Sequence, residues 1–177
     1  MPIALIPFSM PAPAEIPSHI IDALRAMDPD EAVKKGMELL MQIEAAETMV
    51  YERVNAEGQP QLQCVLGRRA SDLESVLNES NGSFAEAIIA QKSALLVMGQ
   101  ASADEESDLP RGVVGFLLDG ASEGSTGFNY ILPLSQRDGG VLGALTLLRS
   151  AADGPLNHEQ PNICEAMRLE LSDILSS

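Results

Sequence analysis

The chain has 177 residues, with 11 Lys+Arg against 26 Asp+Glu for a formal net charge of −15, and 45% hydrophobic but only 3% aromatic residues. A chain of this length closes one core rather than two, and its apolar fraction lies well above that of disordered sequences. The few, scattered basic residues and the negative field argue against nucleic acid or an acidic membrane surface as partner, and the acidity reads as solubility.

Met1 to Pro17 is apolar but carries Pro2, Pro7, Pro11, Pro13 and Pro17 and lacks a basic start. It reads as an extended lead-in, not a signal peptide, ahead of one domain over residues 18–177. Ile20, Ile21, Leu24 and Met27 recur at helical spacing after Ser18, a candidate N-cap, and predict a first helix from about Ser18 to Met27. Asp28-Pro29-Asp30-Glu31 starts a second, with Asp28 as cap, Pro29 at the first helical position and Val33, Met37, Leu40 and Ile43 in one stripe to about Ala45.

From Glu47 the period changes to two: Thr48 to Val54 and Gln61 to Leu66 flank Ala56-Glu57-Gly58 and predict a β-hairpin. Leu73, Val76 and Leu77 predict a turn of helix before the polar break Asn78 to Gly82. Ser83, with Glu86 three residues on, forms a capping box for a helix ending near Lys92, and a short strand follows at Ala94 to Met98. Gly99 to Gly112 is expected to be a solvated acidic loop, because its acids lack the ligand and glycine order of a calcium loop. Val113 to Leu118 is too short to assign by period. Phe128 to Leu134 and Val141 to Leu148 form a second hairpin around Asp138-Gly139, and Ile163, Met167, Leu171 and Ile174 or Leu175 mark a helix over Asn157 to Leu175. The fold class is therefore α+β: an antiparallel sheet with helices at both chain ends packed on a face.

No constellation makes a strong catalytic set. Gly120-Ala121-Ser122-Glu123-Gly124 matches the nucleophile elbow of serine hydrolases, but a strand and not a helix is expected next, so a Gly/Ser loop is the better reading. His19 and His158 each sit at a helix start without a second ligand at useful spacing, and read as exposed or capping residues. Cys64 and Cys164 stand a hundred positions apart, which gives neither a disulfide framework nor a zinc pattern. Both read as buried small hydrophobes in a cytoplasmic protein. No cofactor or metal is specified, and no stretch approaches the ~20 apolar residues of a membrane span.

Glu44 to Val54, then Ser83 to Ile88 with Lys92 to Val97, then Ile131-Leu132-Pro133-Leu134 and Gly139-Gly140-Val141-Leu142-Gly143-Ala144-Leu145-Thr146-Leu147, resemble the GAF domain family over about residues 18 to 175. The resemblance implies a central antiparallel sheet with the terminal helices on one face, a ligand cavity on the other and frequent dimerisation through those helices. Neither Cys64 nor Cys164 is placed like the cysteine that attaches a bilin in phytochrome-like members; of the several pocket cysteines of members that reduce free methionine sulfoxide only Cys64 has a comparable place, without a resolving partner; and the asparagine-lysine-phenylalanine-aspartate-glutamate signature of cyclic-nucleotide-binding members is not found, Phe84 being a partial echo that reads better as core. Gly143 and Ala144 are expected to let a helix approach closely.

The expected function is a noncatalytic sensory or regulatory module in signal transduction, binding a small molecule or forming a homodimer, with a possible downstream effector. Arg69, Ser83, Asn129 and Tyr130 are the expected polar lining of its pocket, and Phe84 and Phe128 the apolar walls. Plainer roles stand beside these: a surface charge for Arg69, an N-cap for Ser83, ordinary strand positions for Asn129 and Tyr130. The alternatives are a thiol-dependent reductase of free methionine sulfoxide using Cys64, and a purely structural dimerisation module.

Overall fold

The computed structural model describes residues 4–80, 83–98, 127–150 and 152–177. In chain order these form β1 (Ala4–Pro7), α1 (Ser18–Arg25), α2 (Pro29–Gln42), β2 (Thr48–Val54), β3 (Pro60–Gly67), α3 (Ala70–Ser80), α4 (Ala85–Gln91), β4 (Leu95–Met98), β5 (Phe128–Ser135), β6 (Val141–Arg149) and α5 (Gln160–Ser176). The strands make one antiparallel sheet in the order β1-β4-β5-β6-β2-β3. Asn81-Gly82, the acidic loop, the run Val113 to Leu118 and the elbow around Ser122 lie outside the described residues.

Both hairpins form where turn chemistry and alternation agree. The β5–β6 turn closes with Gln136 N–H donating to the Gly140 carbonyl at 2.7 Å and Gly139 N–H to the Gln136 carbonyl at 2.9 Å. Gly139 takes φ +92°, a left-handed conformation that only glycine adopts without penalty. β6 lies between β5 and β2 and packs on both faces, Leu145 and Leu147 on one and Ala144 and Leu148 on the other, which explains its near-continuous apolar run.

Strand alternation splits the core into two layers. One set, Met49, Tyr51, Tyr130, Leu132, Leu134, Leu145 and Leu147, packs beneath α1, α2 and α5 with Val33, Met37, Leu40, Met167 and Leu171. The other, Val50, Ile131, Ala144 and Leu148, packs beneath α3 and α4 with Leu73, Leu77, Phe84, Ala87 and Ile88. The two terminal helices meet at Gly36, where a Cβ would lie 2.8 Å from a Leu171 methyl and 3.1 Å from the Met167 sulfur. Close helix approach therefore rests on Gly36 of α2. At Gly143 an added Cβ would instead meet the Glu52 carbonyl oxygen at 2.5 Å, so that glycine admits the backbone of β2 and not a helix.

Several expectations change. The lead-in contains β1, paired antiparallel with β4 from Ala4 opposite Met98 to Pro7 opposite Leu95. A four-residue edge strand ending in proline carries almost no periodic signal. Helix α1 begins at Ser18 with Pro17 in the cap position and no side-chain cap, so Ser18 is its first residue and not its N-cap. Helix α3 runs eleven residues through most of the expected polar break. Pro133, within β5, costs the sheet no ladder bond: β4 begins at the level of Ile131, and beyond it Arg168 of α5 donates to the Pro133 carbonyl at 3.2 Å while Ser135 N–H donates to Ser172 Oγ at 3.1 Å.

Candidate functional site

The polar groups on the sheet face beneath α3 and α4 come from β2, β5 and β6. Glu52 on β2 lies opposite Ala144 on β6, and Thr146 on β6 lies between Val50 of β2 and Ile131 of β5. Asn129 of β5 is on the same face, since it alternates with Tyr130 and shares parity with Ile131.

Glu52 is 2% exposed, yet both its carboxylate oxygens are engaged. Oε1 accepts from the backbone N–H groups of Phe84 at 3.0 Å and Ala85 at 3.1 Å, and Oε2 accepts from the Ser83 hydroxyl. Ser83 Oγ in turn accepts from Ala85 N–H at 3.0 Å. The first N–H groups of a helix have no intrahelical partner, and here a strand distant in sequence supplies it. The expected partner for Ser83, Glu86, is exposed and takes no part in this cap. Burial pushes the Glu52 carboxyl up from 4.5 to about 7, against the opposing pull of its three hydrogen bonds and with a small push from the like charge of Glu86. No ion pair to Glu52 is present among the described residues.

Thr146 is fully buried, and its hydroxyl has no hydrogen-bond partner among the described residues. Asn129, 1% exposed, accepts from Arg149 N–H through Oδ1 at 3.2 Å. Phe84 is wholly buried at the start of α4, where such a side chain contributes about 1.5–3 kcal/mol.

Of the six residues expected to line a pocket, Ser83, Phe84 and Asn129 therefore share this layer. Phe128 and Tyr130 do not. Adjacent strand residues point to opposite faces, and these two pack with the terminal helices, where Tyr130 stacks edge-on against Phe8 with centroids 5.2 Å apart and accepts from Leu156 N–H at 3.1 Å. Arg69 takes φ +58° in the turn that opens α3, and its carbonyl accepts from Leu73 N–H at 3.0 Å. Alternation alone would have separated Asn129 from its two neighbours, whereas nothing local in the sequence marks Glu52 or Thr146.

The cysteines stand apart from this face. Cys64 packs with the terminal-helix layer, its sulfur 3.8 Å from that of Met37, and burial raises its thiol above the ordinary value. Cys164 is buried in α5 and pushed up to about 12 by the same cause. A nucleophilic thiol needs the reverse shift. Among the described residues no group of three or more His, Cys, Asp or Glu side chains is arranged to hold a metal, and no helix is long and apolar enough to cross a membrane. An open surface cleft of about 530 Å³ lies elsewhere, between Arg25, Arg137, Asp138, Asp173 and Ser176, and there Arg25 is already paired with Glu170 at 2.6 Å.

Arg149 is the buried cation that the sequence did not reveal. At 5% exposure it donates through Nη1 to the carbonyls of Glu44 at 2.6 Å and Ala45 at 2.9 Å, through Nε to Gly154 at 2.9 Å and through Nη2 to Asp153 at 3.2 Å. It ties the loop before β2 to the loop after β6, on the terminal-helix side.

No protein-family model and no curated protein matches this sequence. Solved structures do. The GAF domain/HD domain protein from Geobacter sulfurreducens is 17% identical, with a TM-score of 0.62 over 88% of this chain and 95% of that one. The GAF domain of an Acinetobacter phosphoenolpyruvate-protein phosphotransferase is 11% identical, with a TM-score of 0.59 over 89% of each chain. A methyl-accepting chemotaxis protein is also 11% identical, with a TM-score of 0.57 over 88% of this chain and 93% of that one. Identities this low speak to fold alone, and on that footing the six-stranded antiparallel sheet between two unequal helical layers is a GAF-like domain.

Proposed function

We propose that this chain is a noncatalytic sensory or regulatory module of a cytoplasmic signalling system, and that it binds a small molecule on the sheet face beneath α3 and α4. One observation carries the reading: this face keeps a fully buried hydroxyl, Thr146, without a protein partner among the described residues, in a layer otherwise lined by apolar side chains. Leaving a buried polar group unpaired costs about 1–3 kcal/mol, a cost that a ligand contact offsets. Asn129, Ser83 and Phe84 are the neighbouring candidates for contact. Arg69 at the head of α3 is the candidate cation, while Phe128 and Tyr130 belong to the opposite layer and are not retained. The presence of a chemotaxis protein among the structural neighbours supports a signalling role with a downstream effector.

A homodimer through α1, α2 and α5 is part of the same proposal. The reductase alternative is disfavoured by Cys64, which faces the terminal helices and carries a raised thiol; a wild-type protein without methionine-sulfoxide turnover removes it altogether.

The test is a thermal-shift screen against cyclic nucleotides, amino acids, 2-oxoacids, tetrapyrroles and methionine sulfoxide, with solution mass measured alongside. A ligand at a hundred times its dissociation constant stabilises the fold by ~2.7 kcal/mol, a rise of several degrees for a domain of this size. A hit that disappears in Thr146→Val supports the reading. No hit, with a clean dimer, leaves the structural dimerisation module in its place.

A further inference from the structure

We propose that the contact between Glu52 and the start of α4 is a proton-controlled latch, closed when the carboxyl is neutral and loosened when it is ionised. The inference stands whether or not a ligand binds beneath α4.

Apolar burial of Phe84, Ala87 and Ile88 holds the body of α4, while one side chain from a distant strand gathers the donors at its start. Glu52 reaches from β2 to three successive residues, Ser83, Phe84 and Ala85, and α4 itself is seven residues long, too short to hold its own first turn. No side-chain cap comes from within the helix. Among the described residues, the environment offers an anion little beyond these bonds. The cross-strand neighbours are Leu62 on β3 and Ala144 on β6, α3 presents Leu73 and Leu77 to the layer, and Glu86 on α4 adds a like charge. Arg53, next in the strand, points to the other face and pairs with Asp30 at 3.1 Å. A buried carboxylate without a cation gains most by reaching water. It gains that only if the start of α4 moves away.

The sign follows from the burial. With the folded carboxyl near 7 and an open-state value near 4.5, protons bind more tightly to the closed form, so acid favours closure and ionisation favours opening. The stabilisation is complete below the open-state value and is lost as pH rises through the folded one. Between pH 6 and pH 8.5 these two values correspond to a roughly tenfold rise in the opening equilibrium.

Amide hydrogen exchange on the full chain, corrected for intrinsic rates, tests this at Ile88 and Ile89 of α4, with β6 amides as the internal control. The expected result is a roughly tenfold increase in α4 opening across that pH range in the wild type. In Glu52→Gln, whose amide oxygen still accepts from Phe84 and Ala85 while its nitrogen faces Ser83, opening should be flat with pH. An α4 opening that does not respond to pH in the wild type, or responds equally in Glu52→Gln, overturns the proposal. Should Glu52→Gln fail to fold, the wild-type Glu52 carboxyl shift is followed directly by carbon NMR. A midpoint near neutrality supports the latch, and one in the ordinary carboxylate range overturns it. Ser83→Ala, which removes the bond to Oε2, should move that midpoint further up.

Discussion

The two faces of one sheet are finished differently. On the terminal-helix side the charged groups brought inward have opposite charges or carbonyls beside them: Arg149 four carbonyls, Glu165 the guanidinium of Arg168 at 2.6 Å, and Glu170 that of Arg25 at 2.6 Å, though its buried Oε1 lacks hydrogen-bond geometry; Tyr51 donates to Asp30 at 2.7 Å, and Arg168 and Ser172 meet the bare half-edge of β5. On the α3/α4 side, among the described residues, a carboxylate is buried without a cation and a hydroxyl without a partner. Apolar side chains fill both sides, although the terminal-helix layer is the larger, so the contrast in finish lies in the polar chemistry. Completed polar networks fix a structure, whereas incomplete ones leave free energy that another molecule or a proton can alter.

The largest test of the contrast is Arg149→Ala, which strands four carbonyls, that of buried Ala45 among them, and leaves a void; it should destabilise the protein by about 3 kcal/mol in urea denaturation. Arg149→Lys should recover only part, because an ammonium cannot span both loops. A loss below 1 kcal/mol would mean the terminal-helix side is no better fixed than its counterpart. Gly143→Ala should cost about 1–3 kcal/mol by the same measure, since the new Cβ meets a backbone oxygen of β2 that has no flexible end to yield. Tyr51→Phe removes one bond to the half-exposed Asp30 and should cost about 1 kcal/mol. Thr146→Val is expected to be neutral or slightly stabilising in the unliganded protein, because it exchanges an unpaired hydroxyl for a methyl of similar shape. A clear destabilisation by Thr146→Val would break the comparison, as the hydroxyl would then have to be paired.

Much of this fold could be read from the residues, and the reasons are local. Asp138-Gly139 between two apolar runs joins turn to strand period, and Val33, Met37 and Leu40 at helical spacing behind Asp28-Pro29 join a proline start to helix period, although Asp28 makes no side-chain cap. The candidate site was legible only in part. Ser83 and Phe84 were found because they precede a helix, and Asn129 because it lies on a strand. Tyr130 and Phe128 were grouped with it although alternation sends them to the other face. Glu52 reads as the polar partner in an alternating hairpin strand, and its bond to Ser83 spans 31 positions, so no window of sequence contains it. Arg149, closing an apolar run, resembles an exposed strand end until the two loops it joins are brought together.

The placement of β1 has a consequence for how the chain is made. Ala4 to Pro7 are synthesised well before their partner β4, which is completed only with Met98. Until then the segment carries apolar side chains and unmatched backbone groups, the features that recruit stray strands. Its prolines withhold donors at Pro2, Pro7, Pro11 and Pro13, so the segment makes a poor template for any partner but the short one it finally meets. The residues that disguise β1 as a lead-in are thus also what keeps it unattached while its place in the sheet is being synthesised.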